Sequence, residues 1–179
     1  SASSSAASIG GSVVEASIGE MQQAMASGRV TARQLVEQSL LRIALYEERL
    51  NAVIAVDPRA LAEADALDAE RRDGKLRGPL HGIPIAVNDN IHTTGMPTTG
   101  GALAFAGLVP PYEATLISNL RAAGAIVLAK TQMTELANWV AGPPGMPTNY
   151  CSLTGYGFNP YDPRRDPRPD HADGRPALA

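Results

Sequence analysis

Apolar residues recur at helical spacing in the first third of the chain. Two segments, Ser17 to Glu20 and Thr31 to Gln34, have the residue types of a capping box, which predicts that a helix begins at each of them. The first predicted helix is short and ends at Gly28, because glycine readily adopts the backbone conformation that closes a helix. The second is longer and amphipathic, since six apolar residues share one face. They are Leu35, Val36, Leu40, Leu41, Ile43 and Ala44.

A strand and a third helix are predicted next. The apolar run LNAVIAV at residues 50–56 predicts the strand. Asp57 and Pro58 follow it, and they have the residue types of an N-cap and of a first helical position. We therefore predict a helix that begins there and runs to about Gly74.

Strands and helices continue to alternate further along the chain. The run IPIAV at residues 83–87 lies between turn signals and predicts a strand buried on both faces. After the Gly/Thr/Pro-rich turns of 93–101, a helix is predicted from Tyr112 to Ala123, followed by the strand AIVLA at 125–129. This order predicts an α/β fold with a parallel or mixed sheet covered by helices. Functional sites are expected at the carboxyl ends of the strands.

The pattern divides the chain into three segments. Residues 1–16 are predicted to be a flexible leader, which lacks the charged start and apolar centre of a signal peptide but is compatible with the remnant of a cleaved one. Residues 17–141 form the helical layer and the first strands. Residues 142–179 hold eight of the 14 prolines together with near-alternating charges, so we expect an irregular segment that lies over another part of the protein.

Composition and charge narrow the class of protein. The sequence is 44% hydrophobic but only 4% aromatic, which favours small-residue packing of helices on a sheet. The net charge of −3 and the absence of a long basic run argue against a nucleic-acid partner. No apolar run approaches the roughly 20 residues that span a bilayer, so no membrane partner is expected. The single Cys151 is typical of a cytoplasmic protein but is compatible with a periplasmic or secreted one.

Three collinear segments carry a resemblance to a known family. They are GPLHGIPIAVNDN at 78–90, TTGMPTTGG at 93–101 and GAIVLAKTQMTELANW at 124–139. Together they resemble the amidase signature family, and ELANW resembles its peptide-amidase-like branch. The resemblance implies an α/β fold in which helices surround a large mixed sheet, this chain being the N-terminal part. It also implies hydrolysis of carboxamide bonds, including peptide C-terminal amides, through a serine acyl-enzyme.

Asn88 stands at the most informative position of this resemblance. Members of the family use a lysine in the segment that corresponds to VNDN, together with two serines, one of them the nucleophile. An asparagine amide forms hydrogen bonds but has no accessible basic lone pair, so it cannot relay the proton. Three explanations stay open: a deliberate substitution of the lysine, a homologue with another function such as ligand binding, acyl transfer or self-cleavage, or a different amine that acts as the base.

The family's serines would lie beyond Ala179. The resemblance therefore implies that the chain is the N-terminal piece of a longer protein, produced by processing or truncation, with the C-terminal part as a second chain. The new α-amine that follows Ala179 is one candidate for the missing base. The implied substrate is a small amide, and no cofactor or metal is implied. Alone, the chain is expected to be inactive and not stably folded.

Other residues of the matched segments have assigned roles. The resemblance places Ala137, Asn138 and Trp139 along the substrate cleft, although Trp139 is equally compatible with core packing. It makes Lys130 a structural residue rather than a replacement base. Asp89 and Asn90 are expected to bond backbone groups and fix the exit of the strand, as such residues commonly do.

The histidines and the cysteine are expected to have no catalytic role. His81 lies in the glycine-rich turn before a strand and is interpreted as a structural hydrogen-bonding residue. His92 and His171 have no partners at ligand spacing, so metal binding is not expected. Nothing in the sequence marks Cys151 as an activated thiol, and it falls in a loop-like tract.

Overall fold

The computed structural model describes residues 12–138 and 149–164. The α-helices of these residues are α1 (Ile18–Ala26), α2 (Ala32–Leu50), α3 (Ala60–Arg72) and α4 (Thr115–Ala122). The strands are β1 (Val53–Val56), β2 (Pro84–Asn88), β3 (Ile126–Thr131), β4 (Tyr150–Cys151) and β5 (Gly155–Tyr156). Short 3₁₀ segments occur at Leu103–Phe105 and Glu135–Asn138.

The first two helices begin as the sequence predicts. In α1 the Ser17 side chain accepts a hydrogen bond from the backbone N–H of Glu20, and the Glu20 carboxylate accepts one from the backbone of Ser17. Thr31 and Gln34 make the same reciprocal pair at the start of α2. Each box satisfies backbone donors that have no partner within the helix, which fixes where the helix starts.

A three-stranded mixed sheet lies at the centre of the structure. Its order is β1-β3-β2, with β3 parallel to β2 and antiparallel to β1. In the parallel ladder, Val87 pairs with Lys130 and Asn88 pairs with Thr131. The mixed α/β arrangement confirms the predicted fold class.

Helices cover both faces of this sheet. On one face, residues of α1, α2 and α3 form one buried cluster with Ile126, Leu128 and Ala129 of β3; Leu35, Val36 and Leu67 are among its members. On the other face, α4 and the loop after β2 enclose a smaller cluster of Val87, Met96, Ile117 and Val127. No helix in the described ranges is both long and apolar enough to cross a bilayer.

Two helices begin later than predicted. Helix α3 starts at Ala60 because Asp57 and Pro58 form a turn first: the Asp57 carboxylate accepts the Arg59 backbone N–H at 2.9 Å and also binds the Arg59 guanidinium. Helix α4 starts at Thr115 rather than Tyr112, since the backbone N–H of Ala114 donates to the His92 carbonyl at 3.0 Å and holds that residue extended. The contact that sets the start of α3 spans only two residues, whereas the bond that sets the start of α4 joins residues 22 apart, which the local sequence does not show.

The prediction that β2 is buried on both faces is wrong within the described residues. Ala86 and Asn88 are exposed, whereas Val87 between them is buried. Strand β3 has the buried pattern instead, because it is central in the sheet and β2 is at the edge.

The described part of the proline-rich segment contains a small hairpin, β4–β5. Asn51 donates through Nδ2 to the carbonyls of Thr154 and Tyr156, at 2.8 Å each. Gln132 donates through Nε2 to the carbonyls of Asn149 and Gly155, at 3.0 Å each. Two amide side chains from the main body therefore hold the hairpin. Cys151 is fully buried in β4 rather than in a loop, which corrects the sequence-based expectation.

Candidate functional site

Strands β2 and β3 end side by side, and this shared end carries Asn88. The hydroxyl of Thr131 donates to Asn88 Oδ1 at 2.9 Å, and the two residues are paired in the parallel ladder. Paired residues of parallel strands project from the same face of the sheet. Asn88 is exposed, and within 12–138 and 149–164 its Nδ2 group makes no hydrogen bond. The site thus presents an amide donor, held through its oxygen, and no basic atom.

Lys130 lies on the opposite face of the same strand ends. Its side chain is fully buried, and Nζ donates to the Ile91 carbonyl at 2.6 Å and to Thr98 Oγ1 at 2.9 Å. The Asp89 carboxylate lies 3.5 Å from Nζ. Burial lowers the pKa of Lys130, and the negative charge of Asp89 opposes that shift. The amine is enclosed and faces away from Asn88, which agrees with a structural role; that it does not replace the base stays a prediction.

Asp89 organises the loop that follows β2. Its Oδ2 atom accepts hydrogen bonds from the backbone N–H groups of Thr99 at 3.0 Å and Gly101 at 3.3 Å, and from the Thr99 hydroxyl. Its own backbone carbonyl accepts from Gly100 at 3.1 Å. The predicted role of Asp89 in fixing the strand exit is confirmed. The same expectation for Asn90 is not met, since Asn90 is exposed and its side chain bonds no group in the described part of the chain.

Residues 98–103 bond to four parts of the structure: the end of β2, strand β3, the turn after β3 and the β4–β5 hairpin. The sequence did not predict these connections. The carbonyl of Gly100 accepts from the Leu136 N–H at 2.7 Å, and the carbonyl of Gly101 accepts from the Leu153 N–H at 3.2 Å. A Cβ atom at Gly101 would lie 2.8 Å from Cys151 Cβ, so only glycine allows the hairpin to pack so closely. The two consecutive glycines after a pair of threonines were the available signal. They marked a turn but not its partners.

The turn after β3 has unusual backbone geometry. Leu136 (φ 46°, ψ 30°) and Ala137 (φ 52°, ψ 41°) are both left-handed, which costs on the order of 1–3 kcal/mol per residue for side chains other than glycine. The Leu136 bond to Gly100 and a bond from Ser152 N–H to the Glu135 carboxylate at 2.7 Å hold this turn in place. Such geometry is common near functional sites.

The predicted substrate-contacting residues lie at the end of this turn. Ala137 is exposed. The side chain of Asn138 and all of Trp139 lie outside the described residues, so their assignment to the cleft stays a prediction.

His81 and Cys151 have structural environments. His81 Nε2 lies 2.9 Å from the Leu67 carbonyl, and Nδ1 accepts from the backbone N–H of Arg77 at 3.2 Å. These partners fit a neutral imidazole with its proton on Nε2, in agreement with the predicted structural role. Cys151 Sγ lies 3.2 Å from the Thr154 hydroxyl, which is not a base. Within the described ranges, no group of three metal-ligating side chains is present.

Known proteins resemble this chain over most of its length. The family model described as Amidase matches residues 34–167. A glutamyl-tRNA(Gln) amidotransferase subunit from Streptomyces coelicolor (strain ATCC BAA-471 / A3(2) / M145) is 38% identical over 150 residues, which are 80% of this chain and 30% of that protein. The corresponding protein of Chloroflexus aurantiacus (strain ATCC 29366 / DSM 635 / J-10-fl) is 41% identical over 159 residues, covering 88% of this chain and 31% of that one.

Solved structures share the fold described above. The native peptide amidase from Stenotrophomonas maltophilia superposes with a TM-score of 0.81 at 41% identity, over 86% of this chain and 31% of the other. An amidase family protein from Bacillus anthracis str. Ames superposes with a TM-score of 0.79 at 34% identity, over 84% and 30% of the two chains. The chain therefore spans about 30% of the length of the curated relatives it matches.

Proposed function

The chain belongs to the amidase family, and from this premise we propose that it supplies the N-terminal part of a hydrolase that cleaves carboxamide C–N bonds. The observation that carries the proposal is the family match over residues 34–167, which spans both strands that end at Asn88 and Thr131. The similarity to a peptide amidase favours the C-terminal amide of a peptide, or a small amide of similar shape, as the substrate. No cofactor is required for such a reaction.

The proposed chemistry is acyl transfer through a serine. The serine oxygen attacks the carbonyl carbon, the C–N bond breaks, and the amine leaves with a proton; water then hydrolyses the ester. Backbone N–H groups stabilise the negative charge that develops on the carbonyl oxygen. A base at position 88 would take the serine proton first. Asn88 lacks that capacity, so we propose that this chain retains the site but not its proton relay.

The decisive experiment restores the base. Amide hydrolysis by the complete protein is measured with Asn88 and with Asn88→Lys, on primary amides and peptide amides. We expect the lysine form to be faster by about 10²–10⁴-fold, which is the usual contribution of a positioned general base. Asn90→Lys is the matched control, because it adds a lysine at an exposed position two residues away. An equal gain in the control variant would rule out a specific role for position 88.

We propose further that a second polypeptide completes the fold. The chain spans about 30% of the length of its relatives, and the family resemblance implies that the catalytic serines lie in the remaining part. Co-expression with a chain that corresponds to that part should yield a stoichiometric complex on size-exclusion chromatography. A chain that folds and hydrolyses amides alone would overturn this proposal.

A second candidate function is binding without hydrolysis. It is favoured by one observation: Thr131 already occupies Asn88 Oδ1, which leaves Nδ2 as an exposed donor suited to a carbonyl oxygen of a ligand. If neither Asn88 nor Asn88→Lys supports hydrolysis while small amides still bind by calorimetry, this repurposed function replaces the first. Equal hydrolysis in both forms would instead indicate another base.

A further inference from the structure

We propose that Lys130 and Asp89 form a positioning pair, which sets the orientation of the side chain at position 88 from the opposite face of the sheet. This inference rests on the proposed function, since position 88 is where that reaction needs its base. Neither Lys130 nor Asp89 would touch the substrate. Their effect would pass through the backbone of the strand end.

The ladder places the pair directly beside position 88. Lys130 pairs with Val87 in the parallel ladder, and Asp89 follows Asn88 in the chain. Asn88 therefore lies between Val87, whose ladder partner is Lys130, and Asp89, the other member of the pair. Successive side chains of a strand point to opposite faces. Asn88 and Thr131 thus lie on one face of the sheet, and Lys130 and Asp89 lie on the other. Within each strand end the two residues are consecutive in the chain.

The pair bonds to the residues on both sides of the loop that follows Asn88. Lys130 Nζ binds the Ile91 carbonyl and the Thr98 hydroxyl, which joins the residues just after β2 to the returning loop. Asp89 Oδ2 holds the N–H groups of Thr99 and Gly101. The backbone on the C-terminal side of Asn88 is therefore fixed by two buried side chains that also contact each other.

The charges themselves indicate a role in geometry rather than in stability. Both side chains are fully buried, and Asp89 Oδ1 has no hydrogen-bond donor in the described part of the chain, only the Lys130 ammonium at 3.5 Å. Buried ion pairs often stabilise a protein no more than apolar residues of the same volume would, whereas they can select one arrangement over others. A pair with a long contact and an unfilled acceptor fits selection better than stabilisation.

The test observes Asn88 directly. The side-chain amide resonances of Asn88 are assigned by nuclear magnetic resonance in the full chain, or in its complex with the completing chain where folding requires it. They are compared among the original protein, Lys130→Met, Asp89→Asn and the double variant. We expect each single change to shift or broaden these resonances. The double variant should be no more perturbed than either single one, because the two residues act as one unit.

Arg71→Met is the control for the loss of a partly buried cation that bonds a backbone carbonyl elsewhere in the fold. Arg71 is half-buried and donates to Gln22 Oε1 at 2.9 Å and to the His81 carbonyl at 3.1 Å, far in sequence from the loop after β2. Its removal should leave the Asn88 resonances unchanged. If Lys130→Met does not fold, Asp89→Asn decides alone, since asparagine keeps the shape of aspartate while it removes the charge and replaces one acceptor oxygen by an amide donor.

Two results would overturn the proposal: unchanged Asn88 resonances in Asp89→Asn, or a shift of the same size in Arg71→Met.

A kinetic measurement separates the role of the pair from the proposed hydrolysis. In the Asn88→Lys background, Lys130→Met should lower kcat by about 100-fold with a smaller change in KM, as expected when a reacting group is displaced by about 1 Å. If no variant hydrolyses amides, the proposed function fails while the resonance result for the pair still stands.

Discussion

The two faces of the sheet at the ends of β2 and β3 differ in how strongly a substitution is expected to disturb the structure. On one face Asn88 and Thr131 share a single hydrogen bond and Asn88 is exposed. On the other face Asp89 and Lys130 are fully buried and bonded to a loop that reaches the β4–β5 hairpin. A change at position 88 leaves no buried group without a partner, whereas a change at 89 or 130 does. A substitution at position 88 is therefore expected to leave the scaffold on the buried face intact.

The largest expected effect is on the buried face. Lys130→Met should lower the free energy of unfolding by about 3–5 kcal/mol, because it leaves the Asp89 carboxylate buried without a counter-charge. Lys75→Met is the control: the Lys75–Asp73 pair has the same 3.5 Å separation, but it is exposed. That substitution should cost less than about 1 kcal/mol. Similar losses in urea denaturation of the two variants would show that burial does not distinguish the pairs.

The loop between the faces should be nearly as sensitive. Gly101 (φ 75°) and Gly107 (φ 78°) have similar left-handed backbones, but a Cβ at Gly101 meets Cys151 whereas one at Gly107 meets nothing within 4 Å. Both glycine-to-alanine changes should cost about 1–2 kcal/mol from the backbone alone. Gly101→Ala should lose about 1–3 kcal/mol more through overpacking. Equal melting temperatures for the two variants would mean that the hairpin moves freely away from the loop.

The pH dependence of stability should also come from the buried face. Burial lowers the pKa of Lys130 below its ordinary value of about 10.4, so in the window between the two pKa values the unfolded chain binds more protons than the folded one. The free energy of unfolding should therefore rise with pH across that window relative to Lys130→Met, by at most about 1.4 kcal/mol per pH unit. Below the lowered pKa this difference should level off. A fall with pH, measured by urea denaturation at closely spaced alkaline values, would contradict the direction of the shift.

The smallest expected effect is on the exposed face. Thr131→Val removes the donor to Asn88 and should change the free energy of unfolding by less than about 1 kcal/mol, because water replaces the lost bond. Thr99→Val is its counterpart on the buried face, where the hydroxyl donates to Asp89, and it should cost about 1–3 kcal/mol. Calorimetric unfolding of both variants would measure the contrast. A larger loss for Thr131→Val would show that the exposed face is more constrained than the structure indicates.

Local patterns in the sequence predicted the elements that depend on neighbouring residues. The two capping boxes placed the starts of α1 and α2, since their bonds lie within four residues. The glycines that close α1 and α3 were also visible, because Gly28 and Gly74 adopt the left-handed backbone that other residues avoid. The start of α3 was misplaced by two residues, because the carboxylate of Asp57 binds the side chain of Arg59 as well as its backbone N–H.

Part of the candidate site was also visible in the sequence. Asn88 was identified because a matched segment called for a lysine, and the strand end where it lies was predicted from the apolar run before it. The structural roles of Lys130 and Asp89 were expected in general terms. Their partners are not visible in the local sequence, since Ile91 and Thr98 lie 39 and 32 residues from Lys130, and Gly101 lies 12 residues from Asp89.

The sequence by itself determined the alternation of strands and helices, the family resemblance and the absence of a basic group at position 88. Those features depend on residue identity and on spacing over a few turns. Only the tertiary structure decided which strand is central, that β2 is exposed at Ala86 and Asn88, and that Lys130 faces away from Asn88. The burial of a side chain and the face of the sheet from which it projects depend on which strands pair and in which register. That register is set by contacts between residues far apart in the chain.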